Sequence, residues 1–230
     1  MAQATVAAER TLPSTWRTPI VLVVIGLPPL IAGVVRLVQV LGGADGMDAD
    51  RRFEDFPAPL VVHVVAVLVY ALLGATQFSA ELRRRHLPWH RVIGRISLVA
   101  AFGVSLSAYW MTFAYPFKPG TGPLLFMTRL AVASAMTVAL VAAYIAIRDR
   151  RVQDHRAWMV RAYALGLGAA TQMFTLGFGE PVLGDGEIAH DLLMAAGWGI
   201  NAFVAERIIR RSSATKPGRA ATTSAVGYGT

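Results

Sequence analysis

Apolar residues in this chain come in long, nearly unbroken runs, not in the strict alternation of half-buried strands. Six runs reach the roughly 20 residues that a membrane-crossing helix needs: Ile20–Leu41, Pro59–Ser79, Val92–Phe113, Leu124–Ile147, Ala157–Gly179 and Ile188–Ile209. The segments between them are short and polar. In hydrocarbon, every backbone N–H and C=O must be satisfied within its own segment, so runs of this kind predict helices. The pattern therefore predicts an all-α fold, a polytopic membrane bundle of six transmembrane helices over residues 19–211. The first run is long and holds Pro28, Pro29 and Arg36 without a small-x-small cleavage site, so it reads as a retained span, not a signal peptide. Residues 1–18 and 212–230 have no apolar period and are rich in Ala, Thr, Ser, Gly and basic residues, which predicts cytoplasmic tails.

Composition agrees with that pattern. Of 230 residues, 55% are hydrophobic and 16% charged, and the mean hydropathy is +0.50. The lipid bilayer is then the chain's first partner. The absence of Cys excludes disulfides, thiolate metal sites and Cys nucleophiles.

Charge placement sets an expected orientation. "ELRRRHLPWHR" between runs two and three, "RDRRVQDHR" between runs four and five, and "ERIIRRSSATKPGR" after run six are basic. "GEPVLGDGE" has no positive charge and "AYPFKPGTGP" only one. Short basic connections stay in the cytoplasm, which places both termini there. The net charge of +8 follows from this topology, with basic residues at run ends instead of on one docking face, so nucleic acid is not an expected partner.

Several polar residues fall where insertion alone does not require them. His63, Tyr70, Gly74 and Gln77 share one face of the second run at 100° per residue. Arg36, Arg129 and the pair His190-Asp191 lie at similar depth from the outer surface. A charge at that depth costs a few kcal/mol unless paired or hydrated, so an outer network of His63, Arg129, His190, Asp191 and Gln172 is expected, with Asp191 or Glu180 beside Arg129. At the inner surface, "WHRVIGR" and "DHRAWMVR" repeat a His-Arg pair at the start of runs three and five. Interfacial insertion signals and interhelical hydrogen bonding account for the same residues without a ligand.

"VVHVVAVLVYALLGATQFSAELRRRHLPWHRVIGRI", "DHRAWMVRAYAL" and "GWGINAFVAERI", in that order, resemble the DUF2306 family of uncharacterised prokaryotic six-helix membrane proteins, over about Pro59 to Arg210. The resemblance implies a multi-pass protein of the prokaryotic cytoplasmic membrane and no defined activity. Matched to the family's motifs, it marks His63, Gln77, His90, Arg91, Gly94, Arg95, His155, Arg156, Trp158, Arg161, Asn201 and Glu206.

Two functions use these residues. His63 with His190, and His90 with His155, form two levels, as two stacked bis-His haems (haem b) would require for transmembrane electron transfer, with Arg91, Arg95, Arg156 and Arg161 on the propionates. The architecture is similar to that of cytochrome b561-type proteins. Alternatively, the same arginines bind a small anionic ligand or a lipid headgroup in a transporter or binding bundle without a redox cofactor. Tyr70, Gln77, Arg129, Gln172, Asn201, Asp191 and Glu206 form a buried polar network in either case. No hydrolase motif or metal-ligand set is present, so neither an enzymatic reaction nor a metal is assigned. Small residues along the runs suit internal packing or a homodimer seam.

Overall fold

The computed structural model describes residues 16–42, 51–53 and 56–214, which form eight α-helices and one 3-10 turn, with no strand among them. The helices are α1 (Arg17–Val40), α2 (Ala58–Thr76), α3 (Ala80–Arg85), α4 (Leu87–Ala114), α5 (Pro123–Arg148), α6 (Val152–Gly166), α7 (Gly168–Leu183) and α8 (Glu187–Ala214). The expected tail segments 1–15 and 215–230 lie outside the described residues.

Prolines start the helices where a missing N–H does no harm. Pro59, Pro88 and Pro123 each occupy the first turn of their helix. The short α3 is built differently: Ser79 caps it by accepting from the Leu82 N–H at 3.3 Å, Glu81 lies in its first turn, and Arg83 to Arg85 complement its carboxyl end. Arg150, at φ 60°, makes the tight reversal from α5 to α6.

Five helices, α1, α2, α4, α5 and α8, are long and apolar enough to cross a membrane. The expected fifth run, Ala157–Gly179, is not one helix. It divides at Leu167 into α6 and α7, neither of which meets the length of a spanning helix by itself. The sequence there is Gly166-Leu167-Gly168, and both glycines are overlaid by large rings. A Cβ on Gly166 would lie 2.9 Å from Tyr70 Cε1, and one on Gly168 would collide with the Trp198 indole nitrogen. The backbone yields where those rings press in, and low helix propensity removes resistance to the break.

The helices form a ring in which α1 packs on α2, α2 on α4, α4 on α5, α5 on α6, and α7 closes back onto α1, with α8 against α5, α6 and α7. One end of the bundle, the basic end, carries α3, the α5–α6 reversal and the end of α8. The opposite end carries the α4–α5 and α7–α8 connections. Small residues set the spacing: Ala66 of α2 meets Gly103 of α4, and Gly74 of α2 receives the Tyr163 ring of α6. The core lies toward the basic end and contains Tyr70, Ala75, Ala101, Ala139, Leu140 and Ala162.

Candidate functional site

Between the core and the opposite end lies a cavity of about 430 Å³, walled by α1, α2, α4, α5, α7 and α8. Its volume is in the ~300–1,000 Å³ range of small-molecule sites. The wall is mainly apolar. Polar groups gather toward the opposite end: Arg52, Arg129, His63, Thr112, Tyr115 and Thr121. Val67, Ala71, Met136 and Leu165 form the floor at the α6–α7 break.

His63 comes from the second turn of α2, and its Nδ1 lies 2.9 Å from Ser107 Oγ of α4. Arg129 is six residues into α5, roughly 9 Å below the start of that helix. It makes no hydrogen bond or ion pair among the described residues, although it lines the cavity. Arg52 donates to the Pro116 carbonyl at 3.4 Å and sits over the Phe53 ring.

The carboxylates expected beside Arg129 are used elsewhere. Asp191 is buried, and its oxygens accept from Gly122 N at 3.1 and 3.3 Å and from Leu125 N at 2.9 Å. It satisfies the free N–H groups at the start of α5, the role of a capping side chain supplied from another helix. Glu180 accepts from His190 Nδ1 at 2.9 Å. The outer residues thus separate into a cap, a His–Glu pair and a cavity wall bearing His63 and Arg129. Gln172, also on the wall, donates to the Met194 carbonyl at 3.0 Å.

The expected stripe on α2 ends in the core. Tyr70 packs edge-on against Tyr163, with ring centroids 5.4 Å apart, and its buried hydroxyl has no hydrogen-bond partner among the described residues. Tyr163 donates to the Ala71 carbonyl at 2.8 Å. Gln77 sits over Gly94, where a Cβ would approach its Oε1 to 3.1 Å, so the glycine of "WHRVIGR" makes room for this side chain.

At the basic end the two His-Arg motifs sit on helices with different main neighbours, and their histidines lie within electrostatic reach of one another. Helix α4 packs on α2 and α5, whereas α6 packs on α5 and α8. His90 is half-buried with an unpartnered Nδ1 and lies within electrostatic reach of Arg83 and His155. His155 donates from Nδ1 to the Ala143 carbonyl at 2.9 Å, joining α6 to α5. Arg91, Arg95 and Arg156 are exposed. Arg161 instead forms a two-point pair with Glu206 of α8, at 2.6 and 3.1 Å, with its guanidinium 4.4 Å from the Trp158 ring centroid. Asn201 accepts from Thr171 at 2.7 Å, tying α8 to α7, and its amide nitrogen is unpartnered.

Within this cavity the positions do not fit a bis-His haem. A bis-His haem needs two imidazoles facing one slot. Among the described residues His63 is the histidine on the wall of this cavity, His190 is turned to Glu180, and neither His90 nor His155 lines it. No group of three or more His, Asp or Glu among the described residues could hold a metal ion.

Sequence reasoning passed over Trp198 and Tyr163, and took Ser107 only as a small packing residue. "GWG" at 197–199 carried the signal, because glycines flanking a Trp within an apolar run mark close ring packing. No curated protein and no solved structure matches the chain. Residues 60–209 match the family model described as "Predicted membrane protein (DUF2306)", and with 65% of its length covered the chain belongs to that family.

Proposed function

We propose that this membrane protein binds an organic anion inside its helical bundle, with Arg129 as the charged anchor and His63 across the cavity as a hydrogen-bonding partner. One observation carries the reading: a guanidinium on the wall of an apolar cavity that makes no hydrogen bond or ion pair among the described residues, because Asp191, within electrostatic reach, is spent on the start of α5 and Glu180 on His190. A charge placed at that depth is costly unless paired or hydrated, and an anionic ligand is a natural complement to it. The closed core below the cavity supports binding instead of a polar path across the membrane.

Titration of the detergent-purified protein with decanoate, followed by tryptophan fluorescence, tests the proposal. Saturable binding is expected in the wild type, weakened about tenfold or more in Arg129→Gln. Equal binding by both proteins overturns it. A Soret band in protein purified from haem-replete cells would instead restore the haem reading.

A further inference from the structure

The cavity is polarised along its length. Arg52, Arg129, Tyr115, Thr112 and Thr121 cluster toward the end that carries the α4–α5 connection. The far end is Val67, Ala71, Met136 and Leu165, without a charged group. Gly26, Pro29, Leu30 and Gly33 of α1 add a smooth, small-residue wall beside it. Trp198 marks the depth: it is eleven residues into α8, roughly 16 Å below that helix's start, and its ring reaches Gly168 at the break.

A compact hydrophilic anion would leave most of this wall facing nothing, and an apolar molecule would leave Arg129 without a counter-charge. A two-chain lipid needs more than this volume. Resting on the anion-binding reading above, we infer that the ligand is a single-chain carboxylate amphiphile, seated with its carboxylate at Arg129 and its alkyl chain reaching down to Trp198 and the α6–α7 break. The apolar length of the wall supplies affinity in proportion to the chain area removed from water. Arg129 fixes which end points outward.

Bromine quenches indole fluorescence at short range, so decanoate brominated at one end or the other reports the direction of the chain. ω-Bromodecanoate is expected to quench at least about twofold more than α-bromodecanoate at matched occupancy, and Trp198→Phe is expected to abolish the difference when occupancy is matched by that variant's own affinity for decanoate. Competition by acetate and by decanol separates head from tail. Both should displace decanoate only at concentrations at least about tenfold higher, because each lacks one half of the contact. Equal quenching from both positions, or quenching that survives in Trp198→Phe, overturns the seated orientation. If Arg129→Gln nevertheless weakens decanoate binding, the anion site stands and only the tail assignment falls. If acetate competes as well as decanoate, the ligand is a small anion and the chain-binding inference fails. Absence of decanoate binding to a folded wild type, judged by a monodisperse gel-filtration peak, removes both. Arg129→Lys, which keeps the charge but not the fork, should retain part of the affinity and guards against a variant that merely misfolds.

Discussion

The Asp191 carboxylate lies 2.9 Å from the backbone nitrogen of Leu125 and closes the first turn of α5 from α8. Asp191 and Arg129 are therefore not the ion pair that their depth along the chain suggests. Two backbone N–H groups without an intrahelical partner, that of Gly122 shared between both oxygens and that of Leu125, occupy the carboxylate, and the arginine one turn further along α5 is left to the cavity.

Removing that cap should be among the costlier single changes in the protein. Asp191→Ala leaves buried N–H groups at Gly122 and Leu125 unpaired, a loss of about 2–4 kcal/mol. Asp191→Asn keeps one acceptor and should lose less. Thermal unfolding in detergent measures both, and an Asp191→Ala protein with an unchanged Tm would refute the capping role.

Arg129→Leu is expected to behave in the opposite sense. With no hydrogen bond or ion pair among the described residues to lose, the variant should be as stable as the wild type or more so, because a partly buried charge has been replaced by an apolar side chain at the cavity wall. Decanoate binding should be lost in the same protein. A drop in Tm comparable with that of Asp191→Ala would mean that Arg129 serves the fold.

The break between α6 and α7 depends on rings resting against glycine. Gly168→Ala should cost about 1–3 kcal/mol as Trp198 is forced from its seat. Gly177→Ala, in the same helix but with nothing within 4 Å of its added Cβ, should be neutral or stabilising by up to about 1 kcal/mol. The pair, compared by thermal unfolding, separates local packing from helix propensity. Equal shifts would show that ring packing is irrelevant.

Orientation is testable without purified protein. The basic connections predict a cytoplasmic carboxyl terminus. A reporter fused after Thr230 that is active only in the cytoplasm should be active, and one active only in the periplasm should be silent.

The helical, membrane-crossing character of the chain was legible in residue order alone, because the bilayer penalises any unsatisfied backbone group and a run of about 20 apolar residues has few alternatives to a helix. Five of the six expected runs are single helices. Ala157–Gly179 is the exception, and its reason is tertiary. Hydropathy along the chain is blind to Tyr70 and Trp198, which reach Gly166 and Gly168 from α2 and α8.

The polar residues were legible as a set, but not their partners. His63, Arg129, Asp191 and His190 stand at similar depth, so sequence reasoning could only group them. Which of them meet depends on helix rotation and on which neighbours the ring of helices supplies. Asp191 turned to α5, His190 to Glu180, and Arg161 to Glu206, each pairing spanning 10 to 69 residues of chain. The sequence by itself determined the medium, the helical character and the stock of charged groups. Only the packing decided that one arginine should face an apolar cavity without a hydrogen-bonded carboxylate among the described residues, because interhelical contact distances of a few ångströms, absent from residue order, choose which donors and acceptors are satisfied.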